Sequence, residues 1–420
     1  MQGLVKAAAA VEAFAARRPR AVAVGVLGVL AAEGARVAWT GRTGDFGPIG
    51  EAVRRLAAGA PLYLGNPQGP AYVYSPLVAL VLWPLHFLPP AGARFLWFAG
   101  TWVALFLAWR LAFRLVAAGG VLPAGTRALA IASVAYFAYY NGLNGQTTPH
   151  MLALVLLAET LDRDGRPRSA GLALAAALLV KPFPAIVLVY YALRRRLAIV
   201  GWTLAFTALG VALPIVYFGS GYGTVLRGFW DVNREQQTLY DAASWAHQSI
   251  ASLVWRMAGR THPDPFATDL RDPVVLTIAA LSAALLAVGV RAALQSRADA
   301  TRRDAAFALF LLQWALLPPT SWKHYYVVML FPAVVLAALA AEEARGRRGV
   351  ATTVGALVLA QALFFTVKPR EDPFLLYELS ACVWLGLAAF AALAGVALGS
   401  GGGGRQGVLE DGAHVEVDVH

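Results

Sequence analysis

Asp45, Glu51, Gln146, Lys181, His247, Gln248, Arg256, Lys323 and His324 are the side chains of this sequence whose types and surroundings could do chemistry. They lie within or beside long apolar runs, where a polar group is expensive to hold and is therefore a candidate for function. Asp45, in TGDFGPIGEAVRRLAAGAPLY, follows an apolar run and precedes an amphipathic helix beginning near Pro48. Its carboxylate suits two roles, an N-cap for that helix or a general base for a hydroxyl at a membrane surface. Glu51 falls inside the same helix and is expected to be solvated. Lys181, in ALLVKPFPAIV, is too far from either end of its segment to snorkel easily. It either satisfies carbonyls freed by Pro182 and Pro184 or presents a point charge to a phosphate, and the anion contact is the favoured reading. His247 and His324 read as structural histidines or as hydrogen-bond donors. The histidines lack ligand spacing and the first polar loop has no Asp-x-Asp pair, so no metal site and no cofactor are expected. Phosphate-binding glycine loops, dinucleotide fingerprints and Gly-x-Ser-x-Gly elbows are absent from the sequence, which argues against soluble nucleotide chemistry.

The elements that must position these groups are membrane helices. Of 420 residues, 59% are hydrophobic and only 14% charged, well below the usual charged share of a soluble chain. Apolar runs at 21–40, 92–117, 197–218, 274–291, 304–320, 324–341, 350–367 and 374–398 are each long enough to cross ~30 Å of hydrocarbon as a helix. They do not alternate as barrel strands would. An all-α polytopic membrane protein follows. The net charge of +11 sits in clusters beside apolar segments, which is positive-inside patterning and not a nucleic-acid footprint. The single cysteine, Cys382, lies in the last apolar run, so no disulfide framework exists. Arg17, Arg18 and Arg20 precede a first apolar segment containing Glu33 and Arg36, which reads as an uncleaved first helix.

Basic clusters at 17–20, 110–127, 163–168, 194–196, 291–303 and 345–348 mark the cytoplasmic side. Between two such markers the chain crosses an even number of times. Arg127 to Arg163 leaves about 35 residues and Arg168 to Arg194 about 25, where two full crossings need roughly 40 and a turn. Both stretches are therefore expected to be short hairpins, with polar or broken tips at Asn141–Pro149 and Lys181–Pro184. The same parity makes residues 75–90 an interfacial or re-entrant element. Two long polar stretches, 41–74 and 219–273, fall on the outer side, and loops of that length are usually functional. The PPTSWKHYY turn places His324 at the top of the next helix, with Lys323 and the tyrosines expected at the lipid interface. Three regions result: a cytoplasmic N-terminus over 1–19, a transmembrane domain over 20–398, and a disordered cytoplasmic tail over 399–420.

The motifs Asp45, Gly59-Ala-Pro-Leu-Tyr63, Tyr72-Val-Tyr-Ser-Pro-Leu77, Pro84, Asn144-Gly-Gln146, Gly171, Lys181-Pro182, Arg195-Arg196, His247-Gln-Ser249 and Ser321-Trp-Lys-His324 occur in this order. Together, over roughly residues 20–398, the chain resembles glycosyltransferase family 87, polyprenyl-phosphate-mannose-dependent α-mannosyltransferases of the GT-C membrane fold. That resemblance implies a GT-C-like bundle of about 10 to 12 transmembrane helices, including short or re-entrant hairpins. It implies inverting transfer of mannose from a polyprenyl-phosphate carrier to a glycolipid or glycan hydroxyl, on the non-cytoplasmic face of a bacterial inner membrane. Asp45 becomes the base, Lys181, His324 and Arg256 the donor-phosphate contacts, and Asn144, Gln146, Tyr74, His247 and Gln248 the substrate contacts. Ser75-Pro76, Thr147 and His247 depart from the family's more usual Pro-Pro, Asn and Asn. Arabinofuranosyl transfer from a similar carrier stays an alternative. So does a lipid or solute transporter or flippase, which the broken helices would also suit, although no inverted repeat is present.

Overall fold

The computed structural model describes residues 43–63, 71–117, 120–239, 246–261, 268–296, 299–341, 348–366 and 380–399, with a few positions between them. The expected N-terminal segment, most of the first apolar run and the tail beyond Gly399 lie outside the described residues. Those described are helical, and no strand is found among them beyond a single antiparallel bridge between His247 and Trp322. Among the described residues five helices are long and apolar enough to cross a membrane: Pro90–Ala117, Leu197–Glu235, Pro273–Gln295, Lys323–Ala341 and Ala381–Leu398. Shorter apolar helices, among them Pro76–Phe87, Pro167–Val180, Phe183–Leu193 and Gly349–Phe365, fill in between. The protein is an all-α, multi-pass membrane protein.

The centre is a column that is apolar on every face, as a fully enclosed helix must be. In helix Ala300–Leu316 every residue from Asp304 onward is buried. The 3₁₀ turn Lys323–Met329 and helix Leu330–Ala341 return alongside it, buried almost throughout. Helix Pro273–Gln295 lies outside this column and shows Leu276 and Leu281 to the surroundings, which suits acyl chains. Close approach is achieved with small residues: a Cβ on Gly171 would stand 2.5 Å from the Cβ of Trp202 on the neighbouring helix.

The short hairpins are present and carry the site. The first runs through Ala124–Ala132, Ala135–Leu143 and Thr148–Arg163, reversing at Asn144–Thr147. Its break after Ala132 is compensated, because the N–H of Tyr136 donates to Oε1 of Gln361 at 3.0 Å. The second climbs through Pro167–Val180, breaks at Lys181–Pro182, and returns through Ile186–Leu193. Its returning foot meets the foot of the first hairpin where Arg196 donates to Asp162 at 2.8 Å. Nearby, Arg163 bridges Glu159 at 2.8 Å and Asp304 at 2.7 Å, and the Tyr191 hydroxyl donates to Glu159 at 3.0 Å. Each buried charge there is paired, as it must be to be tolerated. The cluster closes the C-terminal end of Thr148–Arg163, whose 16 residues rise about 24 Å at ~1.5 Å each. The polar residues of the site gather at the other end.

The stretch 219–273, expected as a loop, contains helices Tyr222–Leu239 and Ile250–Met257. Val225, Phe229 and Val232 form a stripe that packs on the Tyr63–Tyr72 aromatic cluster, so the polar composition of this stretch belongs to one face of an amphipathic helix.

Candidate active site

Asp45 is delivered by a tight approach between two distant segments. Gly44 adopts a φ of +48°, and a Cβ there would lie 1.9 Å from the carbonyl oxygen of Asn144. The next N–H, that of Asp45, donates to the same oxygen at 3.2 Å. Only glycine fits. Gly44→Ala is expected to destabilise the protein by about 3 kcal/mol through backbone strain and collision, read as a lowered Tm in detergent.

Asp45 occupies the N-cap position of helix Phe46–Ala57 but makes no side-chain cap there. Its Oδ2 instead accepts from the Tyr74 hydroxyl at 2.9 Å, the Thr147 N–H at 3.3 Å and the Thr147 hydroxyl at 3.5 Å. The carboxylate thus takes an N–H at the head of helix Thr148–Arg163, the end that favours negative charge. Among the described residues every hydrogen bond to this side chain goes to Oδ2, so Oδ1 is uncommitted. Burial, then the adjacent Asp45 carboxylate, holds the Tyr74 phenol well above its ordinary range, so it stays a donor.

Tyr74 also connects the acid to the cation. Lys181 Nζ stands over the Tyr74 ring at 4.9 Å and the Tyr325 ring at 5.8 Å from their centroids, a pairing that holds an ammonium without neutralising it. Among the described residues Lys181 has no carboxylate or carbonyl partner, so its charge is not spent on the backbone freed by Pro182 and Pro184. His324 packs edge-on against Tyr325 with centroids 4.5 Å apart, and its buried Nε2 has no hydrogen-bond partner among the described residues. Oε1 of Gln146, a residue 8% exposed, is in the same condition. Buried polar atoms are rarely left so, and these two face a common space. A cavity of about 850 Å³ is lined by Asp45, Tyr74, Gln146, Lys181, His247 and His324 together with Tyr325. That volume suits a sugar phosphate with part of a second substrate.

Other expected contacts are placed differently. Arg256 does not line the cavity; its Nη1 donates to the carbonyls of Ser244 at 2.6 Å and His247 at 2.9 Å, and its Nη2 to Ser380 Oγ at 2.6 Å. Gln248 is fully buried beside the cavity, its backbone N–H on the Ser321 carbonyl and its own carbonyl receiving the Tyr326 hydroxyl. Asn144 serves through its backbone oxygen beneath Asp45, and its amide donates to Tyr140 O at 2.7 Å. Glu51 is not simply solvated, since it pairs with Arg54 and, at 2.9 Å, with Arg55. Tyr325 and Tyr326, expected at the lipid interface, are 4% and 0% exposed, because the turn folds inward onto the central column. Thr147, Trp230 and Asn233 belong to the site without having been singled out as contacts. A threonine beginning an apolar run after Asn-Gly-Gln was the available signal for the first. No group of three or more His, Cys, Asp or Glu among the described residues is arranged to hold a metal.

The sequence profile of glycosyltransferase family 87 matches residues 72–320. The chain belongs to glycosyltransferase family 87. The family match takes in Tyr74, Gln146, Lys181 and His247, while Asp45, well before its start, and His324, just past its end, are brought to the same cavity by the fold. Among curated proteins, the family-87 chain is similar to a polyprenol-phosphate-mannose-dependent alpha-(1-2)-phosphatidylinositol pentamannoside mannosyltransferase of Mycobacterium tuberculosis (strain CDC 1551 / Oshkosh), with 29% identity over 260 residues. That alignment covers 61% of this chain and 56% of the relative's length. No solved structure matches it.

Proposed function

We propose that this protein is a membrane mannosyltransferase that moves mannose from a polyprenyl-phosphate carrier to a hydroxyl of a glycolipid or glycan, with inversion at the anomeric carbon. The observation that carries the reading is the meeting, in one cavity, of an acid with an uncommitted oxygen, a cation without a carboxylate partner and a histidine nitrogen without a partner. Asp45 Oδ1 accepts the proton of the acceptor hydroxyl as its oxygen bonds to C1. The C1–O bond to the carrier breaks on the opposite side, and the lipid phosphate leaves with the electron pair. A β-linked donor thus gives an α-linked product. Lys181 and His324 meet the charge that grows on the leaving phosphate, where preorganised partners in a water-poor site act most strongly. Gln146, Tyr74 and His247 surround the sugar. Arg256, assigned from sequence to the phosphate, acts through His247, whose carbonyl it holds.

The arginine cluster at the feet of the hairpins supports a cytoplasmic assignment for that end. The cavity then opens on the non-cytoplasmic face of the inner membrane. The hairpin tips let a prenyl chain stay in the bilayer while its phosphate reaches Lys181. Tyr74→Phe removes one hydrogen bond to the charged carboxylate, an interaction of about 1.5–3 kcal/mol, and should lower kcat about tenfold with little change in donor KM.

The deciding experiment is mass spectrometry of products after incubating the protein in nanodiscs with polyprenyl-phosphate mannose or arabinose and extracted membrane lipids. A hexose added to a lipid or glycan supports the reading. Pentose addition alone would replace mannose by arabinofuranose, and solute movement across vesicles without covalent product would replace the enzyme by a transporter.

A further inference from the structure

The cavity has a deep part and a rim. At depth lie the buried Nε2 of His324 and Oε1 of Gln146, while on the rim Trp230 is 69% exposed. Trp230 stands on helix Tyr222–Leu239, which is fastened by its other face: Phe229 meets Tyr63 edge-on with centroids 5.7 Å apart, and Val232 is buried in the same cluster. Trp230, Asn233 and Arg234, at i, i+3 and i+4 spacing, share the face that lines the cavity. The amide of Asn233 is fixed, its Nδ2 donating to Phe229 O at 2.8 Å, and its Oδ1 has no partner among the described residues.

We propose that Trp230 and Asn233 form the subsite for the acceptor's saccharide, one sugar away from the reacting hydroxyl. This rests on the transfer reading above. An acceptor has to bring a single hydroxyl to Asp45 while the remainder of its glycan stays outside the cavity, so that remainder crosses the rim. There a rigid indole offers a wide flat surface to the C–H face of a pyranose at low entropic loss, and the anchored amide oxygen of Asn233 accepts from a ring hydroxyl. The donor needs neither group, since its anionic end is drawn to Lys181 at depth. A tryptophan that served only as an interfacial anchor would have no reason to share a cavity-lining face with Asn233.

The test compares octyl α-mannoside with octyl α-mannobioside as acceptors for the full chain in nanodiscs. The wild type is expected to show a lower KM for the disaccharide. Trp230→Ala should raise the disaccharide KM about tenfold, as loss of an aromatic anchor that the ligand covers does, and erase the preference, with donor KM unchanged. Trp230→Phe should keep most of the preference, and Asn233→Ala should weaken it if the alanine variant at 230 does not fold. A wild type with no preference for the disaccharide, or variants that raise donor KM equally, overturns the subsite. A wild type that elongates neither mannoside but adds hexose to extracted membrane lipids also overturns the subsite, whereas one that adds hexose to none of them overturns the transfer reading itself, which is a separate outcome.

Discussion

Asp45→Asn should lower kcat for mannose transfer by about 10²- to 10⁴-fold, the range that a positioned base contributes, while the protein keeps its fold. Asparagine has the same shape, and its amide oxygen can still accept from Tyr74 and from the N–H of Thr147, so the junction held by the Asn144 carbonyl stays closed. What is lost is the capacity to take a proton. Turnover with polyprenyl-phosphate mannose and a thermal unfolding curve, measured together, check both halves of the statement. Retained turnover would remove Asp45 as the base. Turnover lost in step with a collapse in Tm would make Asp45 a structural acceptor that ties Tyr74 to the head of helix Thr148–Arg163.

Lys181→Ala should lower kcat by about 10²- to 10³-fold, in line with the removal of a preorganised group from a developing charge, and should raise donor KM as well. Its signature is the size of the accompanying stability change. Lys181 is a partly buried cation held over two phenol rings, with Asp45 attracting it only from beyond hydrogen-bond distance, so its removal should leave Tm little changed, because the cost of burying the charge offsets these attractions. Lys181→Arg restores charge but spreads it over a planar fork and should recover only part of the rate. A Lys181→Ala protein that transfers within a few-fold of wild type would exclude the lysine from phosphate binding. One that loses both rate and Tm would place it among the residues that hold the broken hairpin together.

Much of this arrangement was legible in the sequence because membrane physics leaves few options. Apolar runs have to be helices, and stretches too short for two crossings have to be hairpins with their tips at membrane depth. The tips are where Gln146 and Lys181 are found. The same logic could not say which way a side chain turns. Arg256 looked like a phosphate contact because it is basic and lies in an outer stretch, yet its guanidinium is taken up by loop carbonyls. Tyr325 and Tyr326 looked interfacial, since tyrosine beside a polar turn commonly is, and the inward fold of the 3₁₀ segment buries them instead. Asp45 was placed correctly as a helix-end carboxylate but on the wrong helix: its hydrogen bonds serve Thr148–Arg163, about a hundred residues away. Such non-local pairings have no periodicity to betray them. The stripe Val225, Phe229, Val232 did have one, and the polar residues between them masked it.

Arg256 reaches Ser380, the residue that precedes helix Ala381–Leu398, while also gripping the carbonyl of His247. The wall of the cavity that carries His247 is therefore fastened by the last described helix, 124 positions further along the chain. During synthesis the earlier helices enter the membrane first, so Asp45, Gln146 and Lys181 can be assembled before that fastening exists. The His247 wall, already bridged to Trp322, is thus tied as well to a helix that follows it by more than a hundred residues.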